Sequence, residues 1–241
     1  MNKINVTVWN EYGNEQKEQA TAGIYPNGMH ITIADFLNKD EDINAKTAIL
    51  SEAEHGLTEE VLDNTDVLIW WGHKYHDKVD DHVASCIVER VQRGMGIIFL
   101  HSAHKSKPFM RLLGTSGSLC WNEADERCRV WTCAPAHPIT QGIPQQFVLD
   151  REEMYGEPFG IPEPQQTVFI SWFQSGNVFR SGVTFQRENG RIFYFQPGHE
   201  TYPAYHNEFV QRIITNAVKW AKPVVKTAEL VCPNTPPLEK F

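Results

Sequence analysis

No apolar run in this sequence approaches the ~20 residues that a membrane-spanning helix needs. The amino terminus, MNKINVTVWNEYG, turns polar within ten residues, too soon for the apolar centre of a signal peptide. A cytoplasmic protein without membrane contact is expected. Cysteine is scarce and unpatterned: Cys86, Cys120, Cys128, Cys133 and Cys232 are odd in number and form no C-x-x-C pair. Reduced thiols are expected, not disulfides. Basic charge is also short, with 22 Lys+Arg against 30 Asp+Glu and no stripe of Lys or Arg to follow phosphates, so nucleic acid is not an expected partner. Internal repeats and low-complexity tracts are missing, as are the G-x-S-x-G of a nucleophile elbow and the H-E-x-x-H of a helical zinc site. No nucleotide cofactor is predicted.

What the chain does have is an alternation of strand and helix patterns. KINVTVWN (3–10), AKTAIL (45–50), TDVLIWW (65–71) and GIIFLH (96–101) read as strands. Between them, YPNGMHITIADFLNK (25–39) places Met29, Ile33, Phe36 and Leu37 at helical spacing, and LTEEVLDN (57–64) offers Thr58 as an N-cap. DDHVASCIVERVQRG (80–94) gathers Val83, Cys86, Ile87, Val88 and Val91 on one helix face that Gly94 can stop. This order implies an α/β fold with a parallel sheet flanked by helices. After residue 114 the pattern changes to closely spaced strands, RVWTCA, QQFVLD, TVFISWF, SGVTFQR and RIFYFQP, with an Asn-Gly turn in RENGR, which predicts an antiparallel extension. HNEFVQRIITNAVKWA (206–221) closes the domain as a helix. One domain over residues 1–222 is expected, followed by an extended tail over 223–241 with four prolines. Val224, Val225 and Leu230 in that tail can lie on a neighbouring surface, so a homo-oligomer is expected.

Four polar groups fall at predicted strand ends: WNE (9–11), WWGHKYH (70–76), LHSAH (100–104) and PGHE (197–200). Carboxyl ends of parallel strands share one edge, so these groups can converge. His73, His101, His104 and His199 are candidate ligands for a divalent metal, zinc foremost, with Glu153 or Glu157 completing the shell and His30 in reserve. Each taken singly also reads as a core histidine bonded to backbone. Ser102 after a strand, with His199 as base, is an alternative nucleophile pair. The cysteines read as ordinary buried thiols. The run DREEMYGEPFGIPEP (150–164) reads as an acidic loop anchored by Met154, Tyr155 and Phe159. Several tryptophans and tyrosines near these motifs offer platforms for a sugar ring.

The motifs YPNGMH, WWGH, LHSAHKSKPFMRLLG, HPITQGIP, EEMYGEPFGIPEP, FRSG and PGHETYP resemble the ThuA (trehalose utilisation) family from about residue 5 to residue 222. The resemblance implies a flavodoxin-like fold of the class I glutamine amidotransferase type. In that superfamily a cysteine follows the equivalent strand and works with a histidine and a glutamate two residues later. Here residues 101–104 hold no cysteine, and Glu200 directly follows His199, where an extended chain would turn it to the opposite face. Glutamine hydrolysis is therefore not expected. The resemblance implies instead that the protein processes a 3-keto-sugar supplied by a partner sugar dehydrogenase, by isomerisation or a related step. Glu153, His199 and His101 are then the expected catalytic residues, and Trp71, Lys107, Tyr155, Glu157 and Tyr202 the expected substrate-binding residues. A non-catalytic sugar-binding protein is the remaining alternative.

Overall fold

The computed structural model describes residues 3–13 and 18–239. The outermost residues of the expected domain and tail, and residues 14–17, lie outside the described residues. In chain order the elements are β1 (Ile4–Asn10), α1 (Gln19–Ile24), α2 (Met29–Leu37), β2 (Ile43–Ile49), α3 (Glu59–Asp63), β3 (Val67–Trp71), α4 (Asp81–Arg93), β4 (Gly96–Leu100) and α5 (Lys107–Leu113). They continue with β5 (Cys120–Thr132), β6 (Gln146–Gly156), β7 (Gln166–Phe173), β8 (Val178–Arg187), β9 (Gly190–Phe195) and α6 (Glu208–Ala221).

The strands form one mixed sheet in the order β2-β1-β3-β4-β9-β8-β7-β5-β6. Its first five members pair in parallel. Their order is that of a doubly wound flavodoxin-like sheet, with β9 in the fifth place. The remaining pairs are antiparallel. Every residue of β3 and β4 is buried, because helices cover both faces of a parallel sheet and leave no side for polar residues. Trp9 and Trp70, neighbours in the β1–β3 register, stack at 3.8 Å in this core.

The helices begin and stop where the chemistry directs. The Asp80 side chain accepts the His82 N–H at the start of α4, and Gly94 ends it at φ +128°. Asn207 caps α6 by accepting from Phe209 and Val210. Two short helices were not expected. α5 starts at a Ser106 cap with Pro108 in its first turn, a signal overshadowed by the preceding histidines, and α1 lies beside residues outside the described set. RIFYFQP is also more than the end of the antiparallel extension, since as β9 it returns to the parallel sheet beside β4. All five cysteines are free. Among the described residues no helix is long and apolar enough to cross a membrane.

Candidate functional site

The turn after β4 carries the centre of the site. His101 leaves the strand in a left-handed conformation, φ +51°, which a β-substituted residue adopts only when its surroundings enforce it. Tyr194 fixes the turn by donating to the His101 carbonyl at 2.9 Å. The His101 ring is wholly buried, and its Nδ1–H donates to the Gln196 carbonyl at 2.9 Å. Its other nitrogen, Nε2, faces Glu153 Oε2 at 2.9 Å and the Tyr155 hydroxyl at 3.3 Å. Both partners come from β6, and the Tyr155 ring stacks on the imidazole with centroids 5.0 Å apart.

Two further histidines close on the same point. His73, just past β3, gives its Nδ1–H to Glu200 Oε1 at 2.9 Å. His199, just past β9, has Nε2 3.5 Å from Glu200 Oε2 and 3.8 Å from Glu123 Oε1. The three rings lie edge to face, with centroids 5.2 Å (His101–His199), 5.3 Å (His73–His199) and 6.4 Å (His73–His101) apart. Two overlapping donor sets result, His73–His199–Glu200 and His101–Glu153–His199, each with its ligand atoms within 4.8 Å of one another. Glu153 Oε2, His199 Nε2 and Glu200 Oε2 are buried without a hydrogen-bond partner among the described residues. Buried polar atoms are seldom left so, and these three lie in the two overlapping donor sets.

The electrostatics follow from burial and pairing. Burial opposes protonation of His101, but Glu153 beside it outweighs this and raises the pKa. Burial likewise opposes ionisation of Glu153 and Glu200. The hydrogen bond from His101 overcomes it for Glu153, whose pKa is lowered, and that from His73 overcomes it for Glu200, which falls to about 2. Burial and the neighbouring His101 push His199 down to about 4, so it is neutral near pH 7. Glu152, wholly buried, is pushed up to about 7 by desolvation. It accepts the backbone N–H groups of Gly198 and His199 at 3.0 and 3.3 Å and thereby holds the loop that carries His199.

The other expected site residues divide. Trp71 is buried and braces the same loop, its indole N–H donating to the Gly198 carbonyl at 3.0 Å. Tyr202 packs on His199 at 5.4 Å, with the Arg151 guanidinium 5.4 Å from its ring centroid. His104 does not join the cluster. Its Nδ1–H donates to the Gly117 carbonyl at 2.6 Å, its ring packs among Tyr155, Phe159 and Tyr194, and burial lowers its pKa to about 3. It is the backbone-bonded core histidine that one strand-end histidine was equally able to be. His30 also stays outside, edge-on to Tyr12 with Nδ1 3.4 Å from the Asn10 amide nitrogen. Lys107 is spent on the Val79 carbonyl (2.6 Å) and Asp81 (3.2 Å). Glu157 is held by Arg180 at 2.8 and 2.9 Å and accepts the Phe159 N–H. The Ser102 hydroxyl donates to the Gly72 carbonyl at 2.8 Å, and no base faces it among the described residues.

Glu200 is the residue that sequence reasoning placed wrongly. The opposite-face expectation assumed extended chain, but β9 ends at Phe195 and the backbone turns through Gly198 at φ +136°, which brings His199 and Glu200 together. Glu11, noticed as a strand-end carboxylate, supports the site from beneath. It accepts the N–H groups of His73, Lys74 and Tyr75 at 2.6, 2.9 and 3.1 Å, and so fixes the loop that presents His73.

Comparison with known proteins agrees with this architecture. A ThuA-like protein of Parabacteroides merdae superposes with a TM-score of 0.70 at 15% identity, over 93% of each chain. A ThuA-like protein of Bacteroides uniformis gives 0.63 at 17% identity, over 90% of this chain and 89% of that one. A cytoplasmic protein of Salmonella typhimurium gives 0.59 at 12% identity, over 91% and 99%. At such identities the likeness is one of fold. The search of curated proteins finds no match. The family model described as trehalose utilisation matches residues 5–221, nearly the whole described chain, and the protein therefore belongs to the ThuA family.

Proposed function

We propose that this protein is a metal-assisted isomerase that moves a ketone between adjacent carbons of a keto-sugar during trehalose or related disaccharide use. One observation carries the metal reading. The Gln196 carbonyl takes the proton of His101 Nδ1, so in the neutral ring Nε2 is a bare lone pair, yet it lies 2.9 Å from a carboxylate oxygen. Two acceptors that close need a positive charge between them. A proton can supply it, as the shift of both pKa values toward the ion pair indicates, and a bound divalent cation would take that proton's place. Ligands of one zinc ion, at ~2.0–2.1 Å from it, sit roughly 3 to 3.5 Å apart; the 2.9 Å between His101 Nε2 and Glu153 Oε2 is close to this, and the donors of each set lie within 4.8 Å of one another. His73 adds the pattern of a metal-binding imidazole, with its other ring N–H given to a carboxylate.

In this reading His101 and His199 would hold a divalent ion, zinc first, with His73, whose donor set overlaps theirs at His199, closing on it, in place of the set that included His104. Bound there, such an ion would supply a Lewis acid to polarise the ketone. Glu153, whose pKa is lowered although burial opposes it, takes the proton from the carbon beside the ketone, and the electrons of that C–H bond form the enediolate double bond. Tyr155, held protonated by burial, donates to the oxygen that gains charge. The hydroxyl on the first carbon then becomes the new carbonyl as its proton passes to the neighbouring oxygen. Glu153 returns its proton to the former ketone carbon, and no atom is gained or lost. A dehydrogenase acting on a ring hydroxyl would supply the substrate. Incubating the metal-supplemented protein with 3-keto-trehalose in D2O should move the carbonyl resonance to the adjacent carbon and place deuterium at the old one. Substrate recovered unchanged and undeuterated contradicts the proposal.

A further inference from the structure

Beside the buried cluster, the ladder between β5 and β6 is irregular. Between Asn122–Met154 and Glu126–Glu152 the ladder skips, so that β5 uses more residues than β6 and residues 123–125 bulge outward, with Asp125 at φ +54°. Bulges re-aim side chains next to functional sites. Asp125 pins this one by accepting from Arg151 at 2.8 Å and from the Tyr202 hydroxyl, and the Glu126 carboxylate accepts the Ser175 N–H at 2.7 Å. The bulge delivers the Glu123 carboxylate to 3.8 Å from His199 Nε2 while leaving it half exposed. Just before it, Trp121 pairs with Tyr155 across the ladder, and directly opposed residues leave the same face of a sheet. Tyr155 is the residue stacked on His101. Trp121 is nevertheless 65% exposed, more than either of the other exposed tryptophans, Trp131 and Trp172.

We propose that this edge binds the sugar ring that does not react, the second ring of a two-ring keto-sugar, with the Trp121 indole under its apolar C–H face and Glu123 accepting from its hydroxyls. This rests on the keto-sugar reading of the cluster. The spacing agrees: Glu123 at the cluster lies two residue steps from Trp121 at the surface, roughly 6.6 Å of extended chain, comparable with the step from one linked sugar ring to the next. An exposed indole beside convergent polar groups is the composition of a sugar subsite, where stacking supplies affinity and the carboxylate supplies orientation.

The test compares 3-keto-trehalose with single-ring 3-keto-glucose on the full, metal-supplemented chain. Trp121→Ala should raise KM for the two-ring substrate by about tenfold, the size of a lost aromatic stack. Its KM for the single ring should stay at the wild-type value, Trp121→Phe should recover most of the loss, and Trp172→Ala should match wild type on both. An unchanged two-ring KM in Trp121→Ala, or an equal loss on both substrates, overturns the proposal while the isomerase reading stands. If wild type turns over neither sugar, that reading fails, and calorimetric titration with trehalose decides this one. Binding weakened in Trp121→Ala upholds the edge as a sugar subsite, and binding unaltered or absent overturns it.

Discussion

His104 and His101 leave the same strand tip, and the difference between them is what each ring faces. His104 is buried among aromatic rings with no carboxylate beside it, so desolvation dominates and its pKa falls to about 3. The unfolded chain holds that proton up to ~6.5, so below ~6.5 the unfolded state binds more protons than the folded one. Stability from this group is therefore full above ~6.5 and declines as the pH falls toward about 3, by up to about 1.4 kcal/mol per unit. His104→Asn, which keeps a donor for Gly117, should flatten the acid limb of the urea midpoint by that amount; parallel limbs in both proteins would refute the assignment. The sequence made His73, His101 and His199 legible because strand ends are legible. It could not separate His104 from them, since the direction of a ring in a tight turn depends on partners such as Gly117 and Gln196 that only folding supplies. Glu152 and Glu200 were harder still, because their roles rest on a loop whose shape carries no periodic signal.

At the scale of elements, the site depends on two loops held by backbone chemistry. Glu11 at the end of β1 fixes the loop after β3 through three N–H groups, so Glu11→Gln, with weaker acceptors, should loosen His73 and lower metal affinity by about 10- to 100-fold, as loss of a supporting contact commonly does. Competition against a chelating dye measures this, and an unchanged dissociation constant would show that the loop needs no such anchor. Gly198 adopts φ +136°, and a Cβ there would meet the Tyr205 hydroxyl. Gly198→Ala should cost at least about 1–3 kcal/mol of stability from strain alone, read as a lower Tm, with loss of the His199 position. A Tm equal to that of wild type would mean the loop has another conformation to adopt. The strands and long helices were readable because burial on both sheet faces writes continuous apolar runs and amphipathic helices write a 3.6-residue period. The bulge in β5 was not, since a skipped ladder position is a property of two strands together.

For the molecule as a whole, the fold brings the end of β6, last in sheet order, against the turns that follow β4 and β9. Gln196 donating to the Glu153 carbonyl at 3.1 Å ties them together. The start of the tail lies at the amino ends of β3 and β4. Thr227 exchanges two hydrogen bonds of 3.0 Å with Arg93, and Lys226 pairs with Asp66 at 2.8 Å. Beyond these anchors Leu230 and Val231 stay exposed, as do Val224 and Val225 before them. We propose that these side chains are covered by a second copy, so sedimentation should show the full chain associated and a chain ending at Lys222 monomeric. Two monomers would remove that role from the tail. His73, His101 and His199 would thus form one cation centre with Glu153 beside it. Elemental analysis of zinc-supplemented, dialysed protein tests it most directly. An equimolar ion is expected in wild type and in His104→Asn, with its loss in His101→Ala and His199→Ala; wild type without metal, or both alanine variants with undiminished metal, would contradict a shared cation centre.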